Sequence, residues 1–433
     1  MSGESTWIRS AATLTPDGFW EGATVELHGA RIAQVWTAGT APPPAPGARV
    51  LELGSQVLLP GFVNAHTHAA MNLLRGFSDD KPLQRWLEED VYPAEARLRP
   101  GDILWGTRAA LLEMIRSGIT TFVDMYFALD EVAEATRESG VRGVLGRGLV
   151  TVGGRGREAL AEAAAFHAEA DGSADGRITV WLAPHAPYTT TPDFLAEVGE
   201  VARRLGTGVH IHLSETAQEV AEAVRAWGVT PFGLMQEVGL DRQPLLAAHA
   251  VHLRPDDLER FANWKPGIAH NPISNLKMGC GMAPVARLLA LGVPLGLGTD
   301  GAASANSLDF FLTMKASLWG ARGLSGDPVR PNAEQILEAA SLGGARALGM
   351  EGLIGSIRPG LAADLIGVSL EGVGLEPLHD RTSTLVYAAT AEAVRTVMVD
   401  GRLLYRDGQF LTLDKDAILA HATEIARRLV ARN

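Results

Sequence analysis

The stretch VLLPGFVNAHTH, residues 57–68, joins an apolar run to two histidines that are one residue apart. The apolar run is typical of a buried strand that is interrupted at Pro60-Gly61 and resumes toward His66 and His68. Successive side chains of an extended chain point to opposite faces, so we expect the two imidazoles to point the same way. Such a pair either binds a divalent metal or consists of ordinary hydrogen-bonded histidines, and further ligands must decide between these interpretations.

Seven further strand-like runs follow, separated by amphipathic segments with apolar residues at three- and four-residue spacing. The runs are ITTFVDMY (119–126), VRGVLGRGLV (141–150), ITVWLAPHAPY (178–188), GVHIHL (208–213), PLLAAHAVHL (244–253), GIAHNPIS (267–274) and PLGLGTD (294–300). Eight strands alternating with helices predict an α/β fold, a closed TIM-like (β/α)₈ barrel. Catalytic residues of such barrels lie at the carboxyl ends of the strands, where the sequence places His66, His68, His185, His212, His249 and Asp300.

The two ends of the chain show a different pattern, in which short alternating stretches are separated by turn residues. We therefore expect residues 1–57 and 358–433 to form one small β-sandwich domain together, and residues 58–357 to form the barrel. The Pro-rich segment APPPAPG (41–47) is interpreted as a loop inside the small domain. The step Val399-Asp400-Gly401 is a candidate hairpin turn.

Composition limits the classes of partner. The net charge of −12, with no block of Lys or Arg, argues against nucleic-acid binding and favours a small-molecule partner. No window approaches the roughly 20 apolar residues that a membrane helix needs. The single cysteine, Cys280, excludes an intrachain disulfide and fits a reducing compartment, and no secretory signal is visible, so we expect a cytoplasmic protein without a membrane partner.

Three further segments supply candidate ligands and a candidate base. In HIHLSET (210–216), His212 lies near the strand end and Glu215 follows it by three residues, a spacing that allows a ligand and a general base to share one pocket. His249 lies at an expected strand end, and Asp300 closes an apolar strand before small residues that allow close backbone approach. Together, His66, His68, His212 and Asp300 form a set that binds a divalent metal and leaves a position for water.

These strings resemble a known family. PGFVNAHTH, HLSET, AHAVHL and GTDGAAS are similar to the mononuclear-metal aminohydrolases of the amidohydrolase superfamily. More narrowly, MNLLRGFSDDKPLQRWLEEDVYPAEARL, APHAPYT, HNPISNLKMGCGMAPV and GTDGAASANSLDFF resemble the 5-methylthioadenosine/S-adenosylhomocysteine deaminases, over nearly the whole chain. No lysine stands at a barrel strand end to bridge two metals, which favours one metal per subunit, with zinc preferred and iron or manganese left open.

The resemblance implies roles for single residues. His66, His68, His212 and Asp300 would bind the metal, Glu215 would relay a proton to a ring nitrogen, and His249 would orient the attacking water. Asp300 would also accept a proton as ammonia leaves. The substrate would be a purine nucleoside: S-adenosylhomocysteine, 5′-methylthioadenosine or adenosine. Trp86 would stack on the purine or cover it, and Glu95 would bind the ribose hydroxyls. His185 would form a hydrogen bond with the purine or the ribose.

Arginines near the third strand are candidates for a substrate carboxylate. Arg147 lies at the strand end, and the following loop holds Arg155 and Arg157, between which the spacing does not choose. An arginine contributed across a subunit boundary is compatible with this loop, which leaves a homo-oligomer open. Two alternatives remain: another ring-directed reaction, on guanine-like or oxidised purines or on triazines, and a non-catalytic barrel that serves as a scaffold.

Overall fold

The computed structural model describes residues 5–431. The strands of this part of the chain are β1 (Ser5–Arg9), β2 (Ala12–Thr15), β3 (Gly18–Glu21), β4 (Thr24–His28), β5 (Arg31–Trp36), β6 (Arg49–Glu52), β7 (Val57–Pro60), β8 (Phe62–Thr67), β9 (Ile119–Tyr126), β10 (Arg142–Leu149), β11 (Ile178–Pro184), β12 (Val209–Leu213), β13 (Leu245–His249), β14 (Gly267–His270), β15 (Leu295–Leu297), β16 (Leu365–Val368), β17 (Val394–Val399), β18 (Arg402–Arg406) and β19 (Gln409–Phe410).

The α-helical segments are α1 (Leu83–Trp86), α2 (Tyr92–Glu95), α3 (Asp102–Arg116), α4 (Leu129–Ser139), α5 (Gly156–Ala170), α6 (Ser173–Gly176), α7 (Pro192–Leu205), α8 (Ala217–Trp227), α9 (Pro231–Glu237), α10 (Pro255–Arg260), α11 (Pro272–Lys277), α12 (Val285–Ala290), α13 (Ala302–Ala305), α14 (Phe310–Ser325), α15 (Ala333–Glu338), α16 (Gly344–Ala347), α17 (Arg381–Ser383) and α18 (Lys415–Val430). Short 3₁₀ segments span Ala69–Leu74, Pro187–Thr189, Leu240–Arg242 and Ala391–Ala393, and π-helical turns span Leu87–Val91, Ala339–Gly343 and Thr384–Ala388. None of the helices in this part of the chain has the length and apolar character needed to cross a membrane.

The eight strands β8 to β15 form one parallel sheet in sequence order, with helices between them, which confirms the predicted TIM-like barrel. The backbone N–H of Asp300, just after β15, donates to the carbonyl of His66 in β8 at 3.0 Å. This contact brings the last strand of the sheet against the first. The carboxyl ends of all eight strands therefore face one end of the barrel.

Several predicted strands end earlier in the structure than their apolar runs. The run 244–253 gives only β13, which ends at His249, because the backbone turns there to positive φ, +77° at His249 and +50° at Ala250. The run 294–300 likewise gives only β15, so Asp300 follows its strand by three residues. The side chains at the barrel mouth thus stand in the loops just beyond the strands as well as at the strand ends.

Both chain ends contribute to two further sheets beside the barrel. One sheet has the strand order β5-β4-β1-β6, and the other has the order β19-β18-β17-β16-β7-β2-β3. The predicted hairpin turn joins β17 to β18, with positive φ at Asp400 and Gly401. These sheets are consistent with the predicted small β-domain, and the exact division at residues 57 and 358 remains a prediction.

The stretch that we interpreted as one interrupted barrel strand is two strands in different sheets. β7, before Gly61, pairs with β2 and β16 of the terminal sheet, whereas β8 pairs with β9 of the barrel. Apolar periodicity reports burial, and both strands are fully buried, so it could not show that the chain changes sheets here. The last helix, α18, packs against the barrel helix α3, and Nη1 of Arg97, in the segment before α3, donates to the carbonyl of Leu429 at 2.8 Å.

A buried ion pair joins the barrel to the terminal sheets. Arg142, in β10, donates through Nε to Asp364 at 3.1 Å and through Nη2 to Asp400 at 2.7 Å. The side chains of Arg142 and Asp364 are each only 2% exposed. Removing one partner of such a pair leaves an uncompensated buried charge.

We expect Arg142→Met to lower the free energy of unfolding by about 3–5 kcal/mol, because it leaves two carboxylates without their cation. Urea denaturation followed by circular dichroism measures this. The control is Arg9→Met, which breaks an exposed pair with Glu52 and should change stability by no more than about 1 kcal/mol. Equal effects of the two substitutions would contradict the assigned role of the buried pair.

Candidate active site

The four side chains predicted as metal ligands converge at the carboxyl end of the barrel. Oδ1 of Asp300 lies 3.5 Å from Nε2 of His66 and 3.5 Å from Nε2 of His68. Nε2 of His212 lies 3.3 Å from Nε2 of His68. Two overlapping groups have ligand atoms within 4.8 Å of one another, namely His66 with His68 and Asp300, and His66 with His212 and His249. The predicted set is therefore one cluster, with His249 at its side.

Backbone carbonyls orient two of these imidazoles. Nδ1–H of His68 donates to the carbonyl of Met125 at 2.6 Å, and Nδ1–H of His212 donates to the carbonyl of His185 at 2.6 Å. A ring nitrogen that donates to a carbonyl carries the proton, so Nε2 of each ring holds the lone pair. Both histidines thus present to the cluster the nitrogen that a metal binds.

His66 is fully buried and is held by a second histidine. Its Nδ1 lies 2.9 Å from Nε2 of His210, whereas its Nε2 has no hydrogen-bond partner among the described residues. Burial lowers the pKa of His66 to about 4, so the ring is neutral near pH 7. A buried, neutral and unpaired imidazole nitrogen that faces a carboxylate is explained by a bound cation. The residues present therefore fit a divalent metal.

The backbone at the barrel mouth adopts conformations that ordinary residues avoid. Ser214, His249 and Asp300 have φ of +55°, +77° and +60°. Asp300 is stabilised there by its own side chain, because Oδ1 accepts the N–H of Gly301 at 2.7 Å. Left-handed backbone at non-glycine residues is concentrated at functional sites, where the surrounding structure holds it in place.

Glu215 lies next to the cluster and faces His249. Its Oε1 is 3.7 Å from Nδ1 of His249, and both side chains are buried. Burial raises the pKa of Glu215, partly opposed by the charge of His249. Burial acts to lower the pKa of His249, but the carboxylates of Glu215 and Asp300 outweigh it, so the pKa is raised. Two adjacent buried groups that both hold a proton more strongly than usual are suited to general acid–base chemistry.

A cavity of about 550 Å³ opens from the barrel mouth, and its lining includes Glu215 and, from the cluster, His68, His212 and Asp300. This volume is typical of a small-molecule site. Trp86, Glu95 and His185, which sequence analysis assigned to the substrate, line the same cavity. The structure thus brings the predicted purine- and ribose-binding residues to the predicted metal cluster.

Each of these lining residues is held by a neighbour. Tyr126 O–H donates to Oε1 of Glu95 at 2.6 Å, and burial raises the pKa of Glu95. The indole N–H of Trp86 donates to a backbone carbonyl at 3.0 Å, and the ring is 4% exposed. Nδ1 of His185 lies 3.0 Å from Oγ1 of Thr189. Their side chains are therefore fixed before any ligand binds, which reduces the entropic cost of binding.

The three candidate arginines are placed differently. Arg147, in β10, and Arg155 line a smaller cavity of about 240 Å³ that adjoins the larger one. Arg157 lines neither cavity; its side chain is 83% exposed and forms an ion pair with Glu197 at 2.9 Å. The position of Arg155 favours it over Arg157 as a ligand-binding residue.

Sequence analysis missed the residues that hold the site together. Asn275 accepts a hydrogen bond from Nδ1 of His249 at 2.8 Å, and Asn271 lies beside the same nitrogen at 3.3 Å. These asparagines are four residues apart around the start of α11, so the helical spacing was a usable signal. Glu219 accepts the backbone N–H groups of Ser214 and Glu215, both at 2.8 Å, and so fixes the turn that carries the candidate base.

Comparison with known proteins gives a consistent result. Residues 57–404 match the model of the Amidohydrolase family. The chain belongs to the amidohydrolase family. It is 44% identical to the 5-methylthioadenosine/S-adenosylhomocysteine deaminase of Pelotomaculum thermopropionicum, over 98% of this chain and 99% of that protein.

Two solved structures agree with the fold. An adenosine deaminase from Xanthomonas campestris, with bound zinc, has a TM-score of 0.93 and 33% identity over 99% of both chains. An atrazine chlorohydrolase from Arthrobacter aurescens, with zinc, has a TM-score of 0.89 at 23% identity, over 97% of this chain and 100% of that chain. The second similarity concerns the fold alone.

Proposed function

We propose that this protein is a metal-dependent aminohydrolase that deaminates adenosine-type nucleosides. The substrates would be S-adenosylhomocysteine, 5′-methylthioadenosine and adenosine, which give the corresponding inosine compounds and ammonia. The observation that carries the proposal is the placement of Glu215 beside the histidine cluster, in a cavity whose wall holds Glu95. The 44% identity to a protein named as a deaminase of such nucleosides supports it.

The proposed ligands are His66, His68, His212 and Asp300, which would hold one divalent metal per subunit. Three imidazoles and one carboxylate accept zinc, and also iron or manganese, with zinc preferred because the solved Xanthomonas adenosine deaminase contains it. When bound, the metal supplies Lewis-acid activation of a water molecule. A non-catalytic scaffold would not need these buried polar side chains to converge, which weighs against that alternative.

Two carboxylates, those of Glu215 and Asp300, carry out the proton transfers. Glu215 accepts a proton from the water that attacks C6 of the purine and donates it to ring nitrogen N1, because C6 becomes tetrahedral only if N1 gains a proton. His249, held by Asn275, orients that water through its ring. Asp300 then accepts the proton of the new hydroxyl group and passes it to the amino group, which leaves as ammonia while C6 becomes a carbonyl.

The proposed substrate contacts follow the cavity away from the cluster. Glu95 accepts hydrogen bonds from the 2′- and 3′-hydroxyls of the ribose, His185 donates to the purine or ribose, and Trp86 covers the purine face. Because Tyr126 already donates a hydrogen bond to Oε1 of Glu95, the ribose hydroxyls bind more to the other carboxylate oxygen, Oε2. Arg147 and Arg155 would bind the carboxylate of S-adenosylhomocysteine.

The proposal is tested by the change of ultraviolet absorbance from adenine to hypoxanthine. The protein, loaded separately with zinc, iron(II) or manganese, is mixed with S-adenosylhomocysteine, 5′-methylthioadenosine, adenosine and free adenine. We expect rapid conversion of nucleosides and slow conversion of adenine, because only nucleosides engage Glu95. No conversion by protein with verified metal content would refute the function and direct the search to guanine-like, oxidised-purine or triazine substrates.

We expect Glu215→Gln to keep the bound metal and to lower kcat by about 10²- to 10⁴-fold, because an amide cannot carry the proton. Metal content is measured by elemental analysis and kcat with 5′-methylthioadenosine. Glu222→Gln, in helix α8, which begins just after Glu215, lies outside the cavity and is the matched control. Turnover of the Glu215 variant close to that of the control would refute the proton relay.

We expect Glu95→Ala to retain metal and to lower kcat/KM for adenosine by about 10- to 100-fold, because two hydrogen bonds to a carboxylate are lost. The rate with free adenine, which has no ribose, should change far less. Steady-state kinetics with both compounds measure the difference. An equal loss on adenosine and adenine would show that the substitution disturbs the site as a whole.

A further inference from the structure

The smaller cavity contains charges of both signs and is continuous with the larger one. Phe127, Gly148, Val150 and Val152 line both cavities, so a ligand bound at the metal cluster can extend a substituent from one into the other. The charged residues that line the smaller cavity are Arg147, Arg155 and Glu162. No role for Glu162 follows from the deamination chemistry itself.

Each of the two arginines is already paired with a glutamate of helix α5. Nη2 of Arg147 lies 2.6 Å from Oε2 of Glu162. Arg155 donates from Nε and Nη2 to the two carboxylate oxygens of Glu158, both at 2.8 Å. Two cations and two anions balance, so this end of the site carries no net charge. A substituent with a net negative charge would have to displace a glutamate from its arginine, whereas a zwitterionic substituent leaves the net charge of this end of the site at zero.

The pair of Arg147 and Glu162 can open. The Arg147 side chain is 27% exposed and that of Glu162 is 47% exposed, and ion pairs in contact with solvent contribute little stability. Arg147 approaches one carboxylate oxygen of Glu162 through Nη2, and its guanidinium has five N–H groups in all. An inserted group with a carboxylate and an ammonium can therefore satisfy both partners again.

We infer that Glu162 binds the α-ammonium group of an amino-acid substituent on the nucleoside, while Arg147 binds its α-carboxylate. This inference rests on the proposed function and adds a residue that reads the amino group. With a substituent that has no charge, such as the methylthio group, the ion pair between Arg147 and Glu162 remains formed. One site thus accepts both kinds of nucleoside, and Glu162 sets the preference between a zwitterionic and a purely anionic substituent.

The experiment measures kcat/KM of Glu162→Gln for three nucleosides. These are S-adenosylhomocysteine, its analogue without the amino group, 5′-S-(3-carboxypropyl)-5′-thioadenosine, and 5′-methylthioadenosine as the reference. We expect the ratio of S-adenosylhomocysteine to the reference to fall about fivefold. The ratio of the analogue to the reference should rise, because the analogue's carboxylate no longer competes with Glu162 for Arg147.

Glu169→Gln is the matched control, because Glu169 lies on the same helix α5, is exposed and lines neither cavity. Both ratios should stay at their starting values in this variant. A rise of both ratios in Glu162→Gln would overturn the inference, since Glu162 would then only compete with a substrate carboxylate. Unchanged ratios would also overturn it. Failure of the starting protein to convert 5′-methylthioadenosine or adenosine would instead refute the proposed function.

Discussion

The contact between the first and last barrel strands determines the geometry of the candidate site. The N–H of Asp300 donates to the carbonyl of His66, and Asn64 exchanges two hydrogen bonds with Thr299, at 2.8 and 2.9 Å. Thr67 adds a bond to the carbonyl of Asp300 at 2.9 Å. These bonds hold the carboxylate that follows the last strand 3.5 Å from Nε2 of His66 and of His68, and catalysis by polar groups depends on such fixed placement.

Burial keeps several of the clustered histidines uncharged, which allows them to lie close together. Desolvation lowers the pKa of His66 to about 4 and that of His185 to about 3, so these rings are neutral and do not repel each other near pH 7. Asp300 is the exception: burial opposes its ionisation, but the neighbouring imidazoles, His66 foremost, hold its pKa well below the usual range. The cluster therefore combines the carboxylate of Asp300 with the neutral rings of His66 and His212, a composition that suits a divalent cation.

The sequence was sufficient for the barrel and for the residues that converge on its mouth, because both depend on local periodicity and on the ends of parallel strands. It did not show that Val57–Pro60 leaves the barrel for the terminal sheet, since both sheets bury such a strand completely. Nor did it choose between Arg155 and Arg157, because the outcome depends on how the loop after β10 folds between Phe127 and helix α5. The four-residue spacing of Asn271 and Asn275 indicated one helix face, but it could not name His249, 26 positions before Asn275, as the side chain that this face supports.

The proposed ligands are spread along the sequence from His66 to Asp300, and this spacing affects when metal can bind and how long the protein persists in the cell. A chain that has emerged from the ribosome only as far as the seventh barrel strand lacks both the carboxylate and the strand that closes the ring. Metal would then bind only the completed barrel and would shift the equilibrium away from opened forms that proteases attack. Scarcity of the metal would therefore shorten the lifetime of the protein in addition to slowing its turnover of substrate.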